Sequence, residues 1–165
     1  MNKEYELDKI DKQILSILMK NANATYAEIA ALLEVSGGTI HVRMKKLEQI
    51  GVITGMHLIT DYSKLGYHTC CYIGLTFSEG ADYSLISKEI ENIPEVTHFN
   101  YVTGRYNGLL EVSCMDNKHL KNILHFRIST IPGIGHCEVF MSLQSIISRK
   151  IDLIEIEKQK TYELE

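Results

Sequence analysis

The spacing of apolar residues is helical up to Gly51, and strand-like runs appear only after it. Ile10, Ile14, Ile17 and Leu18 recur at helical intervals, and Asp8 stands just ahead of them as an N-cap, which predicts a first helix ending near Asn21. Thr25-Tyr26-Ala27-Glu28 is a capping box, in which hydroxyl and carboxylate each satisfy a backbone N–H of the first turn, and Ile29, Ala30, Leu32 and Leu33 follow it. Glu34-Val35 makes a turn. Ser36 then caps a third helix that runs to Ile50 and stops at Gly51, where a left-handed residue belongs. Three short helices therefore precede any strand.

Beyond Gly51 the pattern predicts strands over Val52–Ile59 and Thr69–Phe77, the second with Cys71, Ile73, Leu75 and Phe77 alternating with other residues. A helix from Asp82 to Ile93 places Leu85, Ile86, Ile90 and Ile93 on one face, and Pro94 closes it. Strands Val96–Thr103 and Leu109–Cys114 are joined by Gly104-Arg105-Tyr106-Asn107-Gly108, whose length and glycines suit a hairpin. A helix over Asn117–Ile131, with Leu120, Ile123, Leu124, Arg127 and Ile128 at core spacing, leads through Pro132-Gly133 to a last strand, Gly135–Leu143. The order β-α-β-β-α-β defines a ferredoxin-like split βαβ domain with both helices on one sheet face. Its other face carries half-exposed apolar positions, so self-association is expected, most simply as a dimer through the sheets. The fold class is α+β, divided as a (winged) helix-turn-helix domain over 1–60, a linker over 61–68, the ferredoxin-like domain over 69–147 and a charged tail over 148–165.

Length and composition fit this division: of 165 residues, 45% are apolar, enough to bury a core. No apolar run approaches the roughly 20 residues that span a bilayer, and MNKEYELDKI carries acids where a secretory leader needs basic then apolar residues. A cytoplasmic protein with no membrane partner is expected. The 4 cysteines form no CxxC pair, and neighbours such as Cys70 and Cys71 point to opposite faces of a strand, which favours reduced core thiols. Net charge is −4, but unevenly placed: residues 1–60 hold seven basic and seven acidic side chains, and the remainder hold ten against fourteen. Any DNA-facing surface is therefore local and N-terminal.

At 100° per residue the third helix turns Ile40, Met44 and Leu47 to one side and Gly38, His41, Val42, Lys45 and Gln49 to the other. Ser36, Thr39, Arg43 and Lys46 lie on the flanks. An apolar back, a mixed front and basic or hydroxyl flanks are what a recognition helix needs to dock, read base edges and touch phosphates. A solvated face on an ordinary three-helix core looks the same by spacing alone, and both readings stay open at that level.

The run VSGGTIHVRMKKLEQIGVITG, preceded by LDKIDKQILSILMKNAN, resembles the helix-turn-helix of the Lrp/AsnC (feast/famine) regulators, and the likeness continues through LGYHTCCYIGLTF and TGRYNGLLEV. It covers nearly the whole chain apart from the tail, and GTIHVR and ITG are most similar to the AsnC branch. The resemblance implies a homodimer assembling to octamers, which binds double-stranded promoter DNA through its helices and an amino-acid effector, asparagine first, through its C-terminal domain. Gly37-Gly38 departs from the family, which often has proline or a contacting side chain there, and each glycine weakens a helix by roughly 1 kcal/mol relative to alanine. That departure moves base reading toward His41, Val42 and Lys45.

Thr103-Gly104-Arg105-Tyr106-Asn107, with Tyr101 just ahead, resembles the family's TGxYD effector loop, in which backbone N–H groups hold the effector carboxylate and an acidic or amide oxygen holds its ammonium. Asn107 replaces the common Asp and brings an acceptor without charge. Spacing alone favours an ordinary hairpin loop. By resemblance the pocket lies between dimers, so that Ser129 and His136 contribute from a neighbour.

No nucleophile elbow, phosphate loop or catalytic set emerges, so no enzyme is expected. His68, His98, His119, His125 and His136 lack metal-ligand spacing, and neither a metal nor a cofactor is implied. The alternative to a specific regulator is an effector-independent architectural protein that binds DNA with little choice of sequence.

Overall fold

A computed structural model describes residues 6–156, which divide into two compact units. One runs to Leu58 and takes in the chain from Ile147; the other is Ile59–Ile146.

The first unit holds α1 (Lys9–Lys20), α2 (Tyr26–Leu33) and α3 (Gly37–Gln49). Each helix begins at the cap its sequence provides. Asp8 accepts from Asp11 N–H at 2.9 Å while Asp11 accepts from Asp8 N–H at 3.2 Å, a reciprocal box at the start of α1. Thr25 and Glu28 form the second box, and Ser36 caps α3 through Thr39 N–H. Glu34 takes a left-handed conformation (φ 55°) to turn the chain between α2 and α3. Ile14, Ile29, Ala30, Ile40 and Met44 form the buried core of the three helices.

The strand predicted over Val52–Ile59 does not form. Residues 52–60 contain no strand, and Leu58 and Ile59 are 89% and 88% exposed. Strand-like composition makes a strand only where a neighbour supplies the hydrogen-bond ladder, and among the described residues no segment pairs with this one.

The second unit is a four-stranded antiparallel sheet in the order β2-β3-β1-β4, with β1 (Thr69–Phe77), β2 (Val96–Tyr101), β3 (Gly108–Cys114) and β4 (Ile134–Met141). Two helices cover one face: α4 (Tyr83–Glu91), capped by Asp82, and α5 (Asn117–Ile123), capped by Asp116. Cys71, Ile73 and Leu75 on β1 meet Leu110 and Val112 on β3 and Ile86, Ile90, Ile123 and Ile128 from the helical layer. Alternation turns Tyr72, Gly74, Glu138 and Phe140 to the other face, where Tyr72 and Phe140 remain 45% and 42% exposed. All four cysteines are free thiols, and burial pushes Cys71 up to about 12 and Cys114 up to about 11, which keeps both protonated.

The single helix expected over Asn117–Ile131 changes pitch. After Ile123 it widens into a π-turn, Leu124–Ile128, with Ser129 N–H bonded to Leu124 O at 2.9 Å. The wider turn carries Arg127 out of the core position its spacing predicts. It is exposed, and its Nη2 donates to Asn92 O, the C-cap of α4, at 2.8 Å.

Candidate DNA-binding and ligand-binding sites

The helical period predicted for α3 separates its residues cleanly in the folded chain. Ile40, Met44 and Leu47 are 0%, 1% and 0% exposed, whereas Val42 is 65% exposed and Gly38, His41, Lys45 and Lys46 are exposed with it. Ser36 and Thr39 occupy each other: Ser36 Oγ accepts from Thr39 N–H at 3.1 Å and lies 2.9 Å from Thr39 Oγ1. Neither glycine of the first turn is demanded by packing. A Cβ at Gly37 would meet nothing within 4 Å, and one at Gly38 only Ser36 Oγ at 3.7 Å.

Two features of this surface are not visible in the sequence. Arg43 Nη1 sits 2.6 Å from Asp8 and 2.7 Å from Asp11, whose side chain is fully buried, so this flank cation ties α3 to the capping box of α1. Asp11's backbone N–H first, and the Arg43 guanidinium next, hold the Asp8 carboxyl below its ordinary value, and the two carboxylates raise Arg43 in turn. Tyr26, first residue of α2, brings its ring to 5.9 Å from the His41 ring, which extends the exposed face of α3 by one aromatic side chain. The capping box places Tyr26 at the start of its helix, but only the crossing of α2 and α3 sets it beside His41.

In the second unit, loop 103–107 folds over the sheet face that the helices leave open. Gly104 has φ +111°, a conformation that favours glycine, and Thr103, Gly104 and Arg105 are exposed. Tyr106 lies across β1 so closely that a Cβ at Gly74 would stand 2.7 Å from its ring. Its hydroxyl donates to Glu138, a bond that raises the phenol above its ordinary value, and its ring meets Phe140 edge-on at 6.1 Å. Arg105 Nη2 reaches the same Glu138 carboxylate at 3.1 Å. Asn107 is held by β1: its Oδ1 accepts from Phe77 N–H at 2.8 Å and its own N–H donates to Leu75 O at 2.8 Å.

The remaining predicted effector residues make their contacts elsewhere. Tyr101 lies on the helical side, where its hydroxyl donates to Tyr83 O and also meets Ser87 Oγ, each at 2.6 Å, among the rings of Phe77, Tyr83 and Phe99. Ser129 is exposed just past the π-turn, and His136 sits opposite Thr76 in the β1–β4 ladder. Glu138, on β4, is the residue beside the loop that sequence reasoning misses. It stands 32 positions from Tyr106, and only the fold of the loop over the sheet brings the two together.

An exposed recognition-type helix on a three-helix core, together with a separate α+β domain bearing a polar loop, defines a DNA-binding regulator with a ligand-binding domain. Residues 7–54 match the family of winged helix-turn-helix DNA-binding domains, and residues 70–151 match the Lrp/AsnC ligand binding domain. Regulatory protein AsnC of Haemophilus influenzae is 39% identical over 147 residues, which cover 89% of this chain and 98% of that protein. The solved structure of Escherichia coli AsnC superposes with a TM-score of 0.84 at 38% identity, covering 90% of this chain and 99% of that one. A transcriptional regulator of Neisseria meningitidis, solved in complex with L-Met, shares the fold with a TM-score of 0.83 at 20% identity, over 87% of this chain and 94% of the other. The chain belongs to the Lrp/AsnC family of transcriptional regulators. Its relatives are named as regulators, and among the described residues no helix is long and apolar enough to cross a membrane.

Proposed function

We propose that this protein is a sequence-specific transcriptional regulator that reads double-stranded DNA with α3 and responds to a small amino acid, asparagine first, bound at loop 103–107. The observation that carries the DNA reading is the division of α3: its apolar face is sealed into the helical core while Gly38, His41, Val42 and Lys45 stand exposed. His41, Val42 and Lys45 contact base edges, with Tyr26 alongside His41. Ser36, Thr39 and Lys46 face phosphates, and Arg43 sets the angle of α3 against α1. At the loop, the exposed backbone around Gly104 suits a carboxylate, and Glu138 supplies the negative charge for an ammonium that Asn107 lacks.

The assembly is a cytoplasmic homodimer built into an octamer, in which Ser129 and His136 serve a neighbour's site. Exposed Tyr72 and Phe140 on the open sheet face support association. No catalytic role is assigned. The effector acts by binding one assembly more tightly than another, since equal affinity for both shifts nothing.

A thermal-shift screen against the twenty amino acids tests the sensor. Ligand at 100 times its Kd adds about 2.7 kcal/mol of stability, so asparagine or a close relative is expected to raise Tm clearly. A flat response to all of them points to the effector-independent architectural reading.

A further inference from the structure

A cavity of about 200 Å³ lies in the ligand-binding domain at the foot of β2, and it shares no lining residue with loop 103–107. Aromatic and apolar walls come from Tyr62 and Leu65 of a 3-10 turn, Tyr67 just after it and Pro94 ahead of the strand, and the hydroxyl residues Thr97 and Ser113 complete the lining. That turn is well fixed, because Asp61 accepts from Ser63 N–H at 3.0 Å and Tyr67 N–H donates to Tyr62 O at 3.0 Å. Glu95 is the only charged residue in the lining.

The carboxylate of Glu95 is half engaged. Its side chain is 16% exposed, and Oε1 lies 3.1 Å from Nε2 of His119. Oε2 is buried and has no hydrogen-bond partner among the described residues. Folded proteins almost always supply a donor to a buried carboxylate oxygen, so this atom, in a residue that lines a cavity, marks a place where a donor belongs. The walls narrow the kind of donor. Tyrosine faces attract cations, and a carboxylate forms its strongest hydrogen bonds with charged N–H groups. An anion is repelled by Glu95, and a neutral hydrocarbon leaves Oε2 bare. The volume is about seven times the ~30 Å³ share of one liquid water, room for an ammonium head on a short carbon chain.

We propose that this cavity is a second ligand site, which takes a small primary ammonium compound whose N–H groups complete Glu95 and whose carbon chain lies against Tyr62 and Tyr67. Three of its walls come from residues 62–67, the stretch through which the chain enters this domain, so a bound amine fastens that stretch to the start of β2. The site is separate from the amino-acid site at the loop and goes beyond the reading above.

The test is a titration of the full-length protein with n-propylammonium chloride at constant ionic strength, followed by amide NMR and calorimetry, with n-propanol as the uncharged control. Saturable shifts confined to Tyr62, Tyr67, Glu95 and Thr97, absent with n-propanol, are expected. Glu95→Gln should weaken binding at least ten-fold. Leu65→Trp, which adds bulk at the wall and leaves the carboxylate in place, should also abolish it, so the proposal stays testable if the first variant folds poorly. Equal binding of n-propanol, undiminished binding by both variants, or no saturable shift at these residues would overturn the proposal and leave a hydrating water as the partner of Oε2.

Discussion

Helix α3, the proposed reader, and loop 103–107, the proposed ligand site, distribute their side chains in opposite ways. On α3, packing and the proposed recognition fall on different faces: Ile40, Met44 and Leu47 hold the fold, while His41, Val42 and Lys45 stand in solvent. In loop 103–107 side chains proposed to bind the effector also pack the fold. Asn107 extends the β1 ladder, and Tyr106 covers Gly74 while bonding Glu138. On the proposed function, a substitution on the outer face of α3 therefore changes DNA contact with little effect on folding, whereas one at Tyr106 or Asn107 mixes folding with binding. Arg43 is the point where α3 departs from its own rule, because it lies on a flank and yet is bound to buried Asp11.

The comparison breaks most visibly at Arg43. Arg43→Met is expected to cost about 3 kcal/mol, since it leaves the Asp11 carboxylate buried without the guanidinium, and the urea midpoint measures this. Were Arg43 only a phosphate contact, stability would hold and DNA affinity alone would fall. In the loop, Gly74→Ala forces a methyl to 2.7 Å from the Tyr106 ring and is expected to cost about 2 kcal/mol, together with weaker effector binding. Unchanged stability would mean that Tyr106 yields freely.

Lys45→Ala should leave the urea midpoint within about 0.5 kcal/mol of the parent while operator affinity falls about ten-fold, a loss of about 1.4 kcal/mol. Unaltered operator affinity and preference would remove Lys45 from the reader. The Asp8 cap contributes a smaller, pH-dependent effect. Its folded value is depressed, so its contribution is complete above the ordinary 3.8 and is lost as pH falls through the lowered value. Asp8→Asn should accordingly be less stable than the parent at neutral pH, with the gap closing in acid; a gap that persists there would contradict the assignment. Smallest in stability is Asn107→Asp, expected to shift it by no more than about 0.5 kcal/mol because an aspartate oxygen still accepts from Phe77 N–H. Calorimetry with the effector should show tighter binding through the added charge, and weaker binding would place the ammonium elsewhere.

Legibility in the sequence follows the same division. Periodicity and caps are local, so Asp8, Thr25-Glu28 and Ser36 mark where the three helices start, and alternation marks β1 and its core residues. What the sequence hides depends on distant partners. Residues 52–60 have strand composition but find no strand to pair with among the described residues. The π-turn at Leu124–Ile128 rotates Arg127 outward although its spacing is that of a core residue. Glu138 and Tyr26 gain their places only when the loop crosses the sheet and α2 crosses α3. Family resemblance marked the loop, yet it could not reveal that Asn107 and Tyr101 are already engaged by neighbouring elements.

Direct competition binding is the measurement closest to the central claim. An operator selected from random-sequence DNA by the protein itself is compared with unselected DNA at one fixed salt concentration, with and without asparagine. A specific, responsive reader prefers its operator by about 10³-fold or more and changes that affinity when the amino acid is added. Equal affinity for both DNAs, unmoved by asparagine, would contradict the account.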